Sequence, residues 1–263
     1  MIKGNGAAKP ADLELQRRIQ ELIVYKGGGH NEAQVADIIE NALKLLADMK
    51  DTGDVRVIQT ALRELRYAFR LFAPYARVRK VTIFGSARTQ SDKVEYQQAV
   101  DFGRKIVKAG FMVITGAGPG IMQAGHEGAG TENSFGVNIR LPWEQGANPV
   151  IREDKKLVTF KYFFTRKLIF IRHSDAIVLF PGGFGTLDET FEALTLIQTG
   201  KIYQFPVILF GRHYWAGLLR WLQSRVLAER KISAGDMDLM LLTDDPAEAA
   251  HAVIEAYNAV NPK

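Results

Sequence analysis

The residues with the most chemical content are Pro181-Gly182-Gly183-Phe184-Gly185-Thr186-Leu187-Asp188-Glu189. An apolar run, Ala176-Ile177-Val178-Leu179-Phe180, leads into them, and a helix-like run, 190–196, leaves them. The pattern predicts a strand, a tight glycine-rich turn and a helix start. Such a turn offers unpaired N–H groups and a partial positive charge, which suits a phosphate. Gly182, Gly183 and Gly185 let the backbone approach the anion with no Cβ in the way. Thr186 adds a hydroxyl, and Asp188 and Glu189 add carboxylates within one turn. The chemistry expected is on a phosphorylated small molecule.

Two further glycine turns follow apolar runs: Gly85-Ser86-Ala87-Arg88 after Val81-Thr82-Ile83-Phe84, and Gly116-Ala117-Gly118-Pro119-Gly120 after Phe111-Met112-Val113-Ile114-Thr115. The second is near a dinucleotide fingerprint but is not one. Ile121 stands where the third glycine belongs, and Asn138 and Arg140 stand where an acid would close the next strand. Together the three turns predict a mononucleotide pocket. Thr165-Arg166-Lys167 adds cations on the helix before the first stretch, and an Arg grips a flat or bidentate partner better than a Lys.

Elements must bring these residues together. Strands are expected near 81–84, 111–115, 134–139, 157–160, 175–180, 205–210 and 239–242, with helices between them. That alternation predicts an α/β fold: a Rossmann-like parallel sheet flanked by helices, with ligands at the carboxyl ends of the strands. Before it, helices are expected over 12–25, 32–50 and 54–72, with Gly27-Gly28-Gly29 as a terminator or hinge, Pro74 as a stop and 1–10 disordered. The division expected is a helical extension over 1–77 and a catalytic domain over 78–263.

Composition narrows the classes. The 263 residues are 47% hydrophobic and 24% charged, with a net charge of +5 and no cysteine. Disulfides, thiolate nucleophiles and cysteine metal sites are excluded. No signal peptide or membrane-length apolar run is present, so a cytoplasmic protein without a membrane partner is expected. The basic zone Arg63, Arg66, Arg70, Arg77, Arg79 and Lys80 is expected as a solvated face or subunit contact, not a nucleic-acid site. His30, His126, His173, His213 and His251 lack paired ligand spacing, so no metal or cofactor is expected. His126, just after the second turn, is the one placed to line the pocket. Trp143, Trp215 and Trp221 are expected to pack, Trp143 in its polar loop with Glu144 being the candidate exception.

The set resembles the LOG (Lonely Guy) family, often described as lysine decarboxylases. The stretch 181–189 is similar to that family's PGGxGTxxE motif, Arg166-Lys167 to the Arg-Lys pair of its second motif, and Phe84-Gly85-Ser86 and 115–122 to its earlier turns. The resemblance spans about 78–258. It implies a Rossmann-like fold, a homodimer or larger assembly, and phosphoribohydrolase activity on nucleoside 5′-monophosphates, either AMP or a cytokinin riboside 5′-monophosphate. It makes Glu189 and Arg166 catalytic. It makes Gly85, Ser86, Arg88, Gly116, Gly118, Gly120, Met122, Lys167, Gly182, Gly183, Gly185 and Thr186 substrate-binding. The chain departs from the family at Ala117, where glycine is usual, and at Phe163-Phe164-Thr165, where plant members carry Met-His-Glu.

N-glycosidic hydrolysis passes through an oxocarbenium-like ribose, which calls for a carboxylate to stabilise the cation and orient water. Glu189 is the candidate, and Asp188 is expected to cap its helix. Arg166 is open between phosphate and base. A decarboxylase using pyridoxal phosphate needs a Schiff-base lysine, and nothing near the loop supplies one. The alternative is a non-catalytic protein that binds or carries a nucleotide-like ligand.

Overall fold

The computed structural model describes residues 10–142 and 146–260. Each expected apolar run forms a strand: β1 Lys80–Phe84, β2 Met112–Thr115, β3 Ser134–Ile139, β4 Leu157–Phe160, β5 Ala176–Leu179, β6 Val207–Phe210 and β7 Met240–Thr243. All seven pair in parallel, in the order β4-β3-β2-β1-β5-β6-β7. Near-continuous apolar strands, buried on both faces, are what a parallel sheet covered by helices requires.

The helices are α1 Pro10–Tyr25, α2 Glu32–Asp48, α3 Thr52–Phe72, α4 Val94–Lys108, α5 Ile121–Ala129, α6 Phe163–His173, α7 Phe184–Gln198, α8 Arg212–Trp221, α9 Ala234–Met237 and α10 Pro246–Val260. On one face of the sheet Ala68 and Phe72 of α3, Phe170 of α6, Ala193 of α7 and Trp215 of α8 are buried with Phe135 and Leu179. On the other, Phe102 of α4, Ala124 of α5 and Val253 of α10 are buried with Ile83 and Val178. Trp215 packs as expected, donating its indole N–H to Leu179 O and Phe210 O. Trp221 instead lies exposed.

The chain divides into two compact units, Met1–Leu62 and Arg63–Lys263. Within the first, α1 packs on α2, and Ile19 and Ile23 of α1 are buried. Gly27, Gly28 and Gly29 all have positive φ, and Gly28 N–H returns to Ile23 O at 3.0 Å, so they terminate α1. The second unit contains the sheet and the last part of α3, whose Ala68 and Phe72 belong to its core.

The basic zone is not one solvated face. Arg63, Arg66, Arg70 and Arg77 are exposed. Arg79 lies over Phe111 and Tyr257 at 4.4 and 4.5 Å, and Lys80 is buried, donating its ammonium to Tyr75 O and Val78 O. The expectations for 1–9 and for Trp143 and Glu144 fall outside the described residues. No described helix is long and apolar enough to cross a membrane.

Candidate active site

The strand order runs outward in opposite senses from β1 and β5, so the loops after these neighbouring strands diverge and leave a crevice at their carboxyl ends. A cleft of about 920 Å³ opens there. Its lining includes Gly85, Ser86 and Arg88 after β1, Gly116, Gly118 and Met122 after β2, and Gly182, Gly183, Gly185, Thr186 and Glu189 after β5. Arg166 of α6 completes that group.

The loop after β5 is shorter than expected. α7 starts at Phe184 and has Gly183 as its N-cap, so the motif forms the first turns of the helix itself. Leu187 N–H is the first to find a helical acceptor, Gly183 O at 3.1 Å, and no side chain caps this end. The N–H groups before it have no acceptor within the helix. Asp188 therefore does not cap α7. It lies in the second turn, 59% exposed, and receives Lys167 Nζ at 2.9 Å.

The glycines of this loop differ in what they do. A Cβ at Gly182 would overlap the Thr186 hydroxyl, so protein packing requires the glycine. A Cβ at Gly183 or Gly185 would meet nothing within 4 Å. Their bareness leaves open space on the cleft side of a helix N-terminus, a shape suited to an anion. Tyr214 of α8 lines the same cleft and donates its hydroxyl to Gly182 O, fixing the loop from outside.

Glu189 sits on the cleft floor, 6% exposed, and its Oε2 has no hydrogen-bond partner among the described residues. Burial pushes its carboxyl up to about 7, against the opposing charge of Lys167. Such a group is poised to exchange a proton near neutral pH.

Arg166 reaches the cleft from α6. Its Nε donates to Val137 O at 2.8 Å and its Nη2 approaches Gly116 O at 3.4 Å, with the guanidinium 5.2 Å from the Phe170 ring. Lys167, the next residue, points elsewhere and does not line the cleft. Its Nζ lies 2.9 Å from Asp188 and 3.2 Å from Glu192. Burial opposes its charge, but the Asp188 hydrogen bond and the charges of Glu189 and Glu192 outweigh that and raise its pKa.

Gly120 is also absent from the lining. It has φ +65, and a Cβ there would overlap the Ser86 carbonyl. Ile121 N–H donates to that same carbonyl at 3.0 Å. Gly120 thus joins the first two turns and does not face the cleft. Ile121, replacing the fingerprint's last glycine, is buried in the space left by the missing Cβ of Gly85.

His126 is buried behind the second turn and not exposed to the cleft. Its Nε2 is 3.1 Å from Phe135 O, which can only accept, and 3.0 Å from Thr115 Oγ1. Asn148 Nδ2 lies 3.2 Å from His126 Nδ1 and donates to Ala117 O and Gly118 O, both at 3.0 Å. Burial lowers the imidazole to about 4, so it is neutral. This network secures Ala117, which keeps a left-handed φ of 62 despite its methyl group.

Residue types and spacing did not single out Tyr214 or, in the apolar wall of Phe84, Ile139, Leu141, Phe163 and Leu187, the pair Ile139 and Leu141. Phe84 and Leu187 fell inside the quoted motifs without a role of their own, and Phe163 stood out as the departure beside Arg166.

Fold and site together define a Rossmann-like parallel α/β protein with its cleft at the topological switch point. Comparison with known proteins narrows this. A family profile described as "Possible lysine decarboxylase" matches residues 119–253. A probable cytokinin riboside 5′-monophosphate phosphoribohydrolase of Arabidopsis thaliana is 30% identical over 159 residues, covering 57% of this chain and 76% of its own. A cytokinin riboside 5′-monophosphate phosphoribohydrolase of the same plant is 30% identical over 158 residues, covering 57% of this chain and 71% of its own. The chain belongs to the LOG family. Among solved structures, the molybdenum cofactor carrier protein of Chlamydomonas reinhardtii matches with a TM-score of 0.50 at 21% identity, over 69% of this chain and 99% of that one. That likeness is one of fold.

Proposed function

We infer that the cleft hydrolyses the N-glycosidic bond of nucleoside 5′-monophosphates, AMP or a cytokinin riboside 5′-monophosphate, releasing the base and ribose 5-phosphate. The observation that carries the reading is Glu189: a buried carboxyl with an unpartnered oxygen, raised to about 7, on the floor of a cleft with an uncapped helix N-terminus. The 5′-phosphate binds the N–H groups at the start of α7, beside Gly183, Gly185 and Thr186. That anchor holds C1′ near Glu189, so binding energy remote from the bond is spent on orientation. The C1′–N bond breaks with its electron pair leaving on the base, which takes up a proton from solvent, a proton restored when Glu189 later releases the one it accepts from the attacking water. The Glu189 carboxylate faces the developing cation. A water oxygen then bonds to C1′ and passes its proton to Glu189. Arg166 binds the phosphate or the base, and Phe84, Ile139, Leu141 and Met122 offer apolar surface to the remainder.

The activity for which those relatives are named supports this reading. A lysine decarboxylase is poorly served, because Lys167 is held protonated by Asp188 and Glu192 and turned from the cleft. A homo-oligomer is part of the proposal: Phe163 and Phe184 flank the cleft, and Phe184 is 91% exposed. Light scattering should give at least a dimer, and Phe184→Glu should reduce it.

The deciding experiment incubates the protein with AMP and with isopentenyl-AMP and assays free base and ribose 5-phosphate. Nucleotide binding without either product would move the protein to the carrier class.

A further inference from the structure

Glu64, on the part of α3 that belongs to the sheet unit, is buried without a cationic partner among the described residues. Its Oε1 accepts the Lys161 N–H at 2.6 Å, and its Oε2 accepts the Thr165 hydroxyl at 2.7 Å. A buried carboxylate must be compensated by donors, and both of these lie at the start of α6. The α6 N-cap, Tyr162, supplies no side-chain acceptor. Glu64 therefore ties the backbone entering α6 to the third residue of that helix, and it lies at the positive end of α6. The far end of α6 is held by the same helix: His173 stacks on Phe72 at 4.1 Å, and Arg172 lies 5.6 Å from the Phe69 ring. Arg166 follows Thr165 directly, one residue from the contact.

We propose that Glu64 is a positioning residue for Arg166, with α3 clamping α6 so that the guanidinium is held between Val137 O, Gly116 O and the cleft. This rests on the reading of Arg166 as a nucleotide-binding group. A guanidinium displaced by about 1 Å loses much of its contribution to an oriented complex. Only the last part of α3 is involved, so the clamp is intrinsic to the sheet unit.

The test is a double-mutant cycle on the full chain, read in AMP affinity by calorimetry and in kcat/KM. Glu64→Ala should weaken both about tenfold in the native background and less than about twofold when Arg166→Ala is already present. Glu64→Gln, which still fills the site and can bond both groups if Thr165 reverses its hydroxyl, should recover most of the loss. Hydrogen exchange should quicken in 161–167 on Glu64→Ala and stay unchanged in β1 and β5. Equal losses in the two backgrounds, or unchanged exchange in 161–167, overturn the proposal. Should Glu64→Ala fail to fold, Thr165→Val carries the same cycle. Native protein that neither binds nor cleaves AMP sinks the functional reading alone, and exchange in 161–167 then decides the clamp.

Discussion

A carboxyl held near 7 in the folded protein and near 4.5 when free makes Glu189 a stability liability as well as a reactive group. The folded chain holds the proton more tightly, so stability is highest below about 4.5 and falls as pH rises through about 7. Glu189→Gln is neutral throughout. It should lose turnover by roughly 10²–10⁴ while keeping nucleotide binding, and above pH 7 it should unfold at a higher temperature than the native protein. Calorimetric melts at pH 5 and pH 8, with assays alongside, check both; native turnover in this variant would remove Glu189 from the mechanism. The histidines have the opposite sign. His126, and likewise His173 on its stack with Phe72, titrate near 4 when folded against 6.5 when free. Between those values the unfolded chain binds more protons, so stability drops as pH falls from about 6.5 to about 4. For fully buried His126 the loss is of order 3 kcal/mol. His126→Asn should flatten that part of a melting-temperature profile, and an unaltered slope would show that His126 is not its source.

At the scale of elements, the α7 N-terminus separates two uses of glycine. Gly182→Ala drives a methyl group into the Thr186 hydroxyl and should lower stability by about 1–3 kcal/mol. Gly185→Ala meets open space, so it should melt within a few degrees of the native protein yet bind ribose 5-phosphate at least about tenfold more weakly. Denaturant unfolding and titration calorimetry on both variants distinguish packing from binding; unchanged affinity in Gly185→Ala would place the phosphate elsewhere. The glycine turns and the strands before them were legible because each is a local pattern. The start of α7 was not, because Gly183, with no capping side chain, leaves no residue-type signal where the helix begins. Asp188 then took the role of cap by default, whereas the structure makes it the ion-pair partner of Lys167.

For the whole molecule, the boundary between units has a measurable consequence. A fragment 63–263 retains Glu64, Ala68 and Phe72 and should unfold cooperatively. A fragment 78–263, cut where the change in sequence pattern suggests, loses Phe72 from its stack on Phe135. Removing that ring alone costs about 3–5 kcal/mol, so this fragment should be far less stable or fail to fold. Paired denaturation curves decide it, and equal stability would place the boundary at the pattern change after all. The helical period of 54–72 made α3 legible. That its end belongs to the sheet unit was not, since the Glu64 contacts join residues 97 and 101 apart in sequence.

The sequence by itself determined the alternation of strands and helices, the parallel sheet, and which three turns meet, because hydrophobic period and glycine placement are properties of short segments. Its resemblance to the LOG family also put Arg166 and Glu189 with those turns. Only the tertiary structure decided which neighbours point into the cleft. Lys167 turns to Asp188, Gly120 joins two loops, His126 supports one from behind, and Tyr214 and Glu64 hold elements far from them in the chain. The physical reason is that a side chain's role depends on which helix face a distant element covers, and that is fixed by packing, which no local spacing encodes.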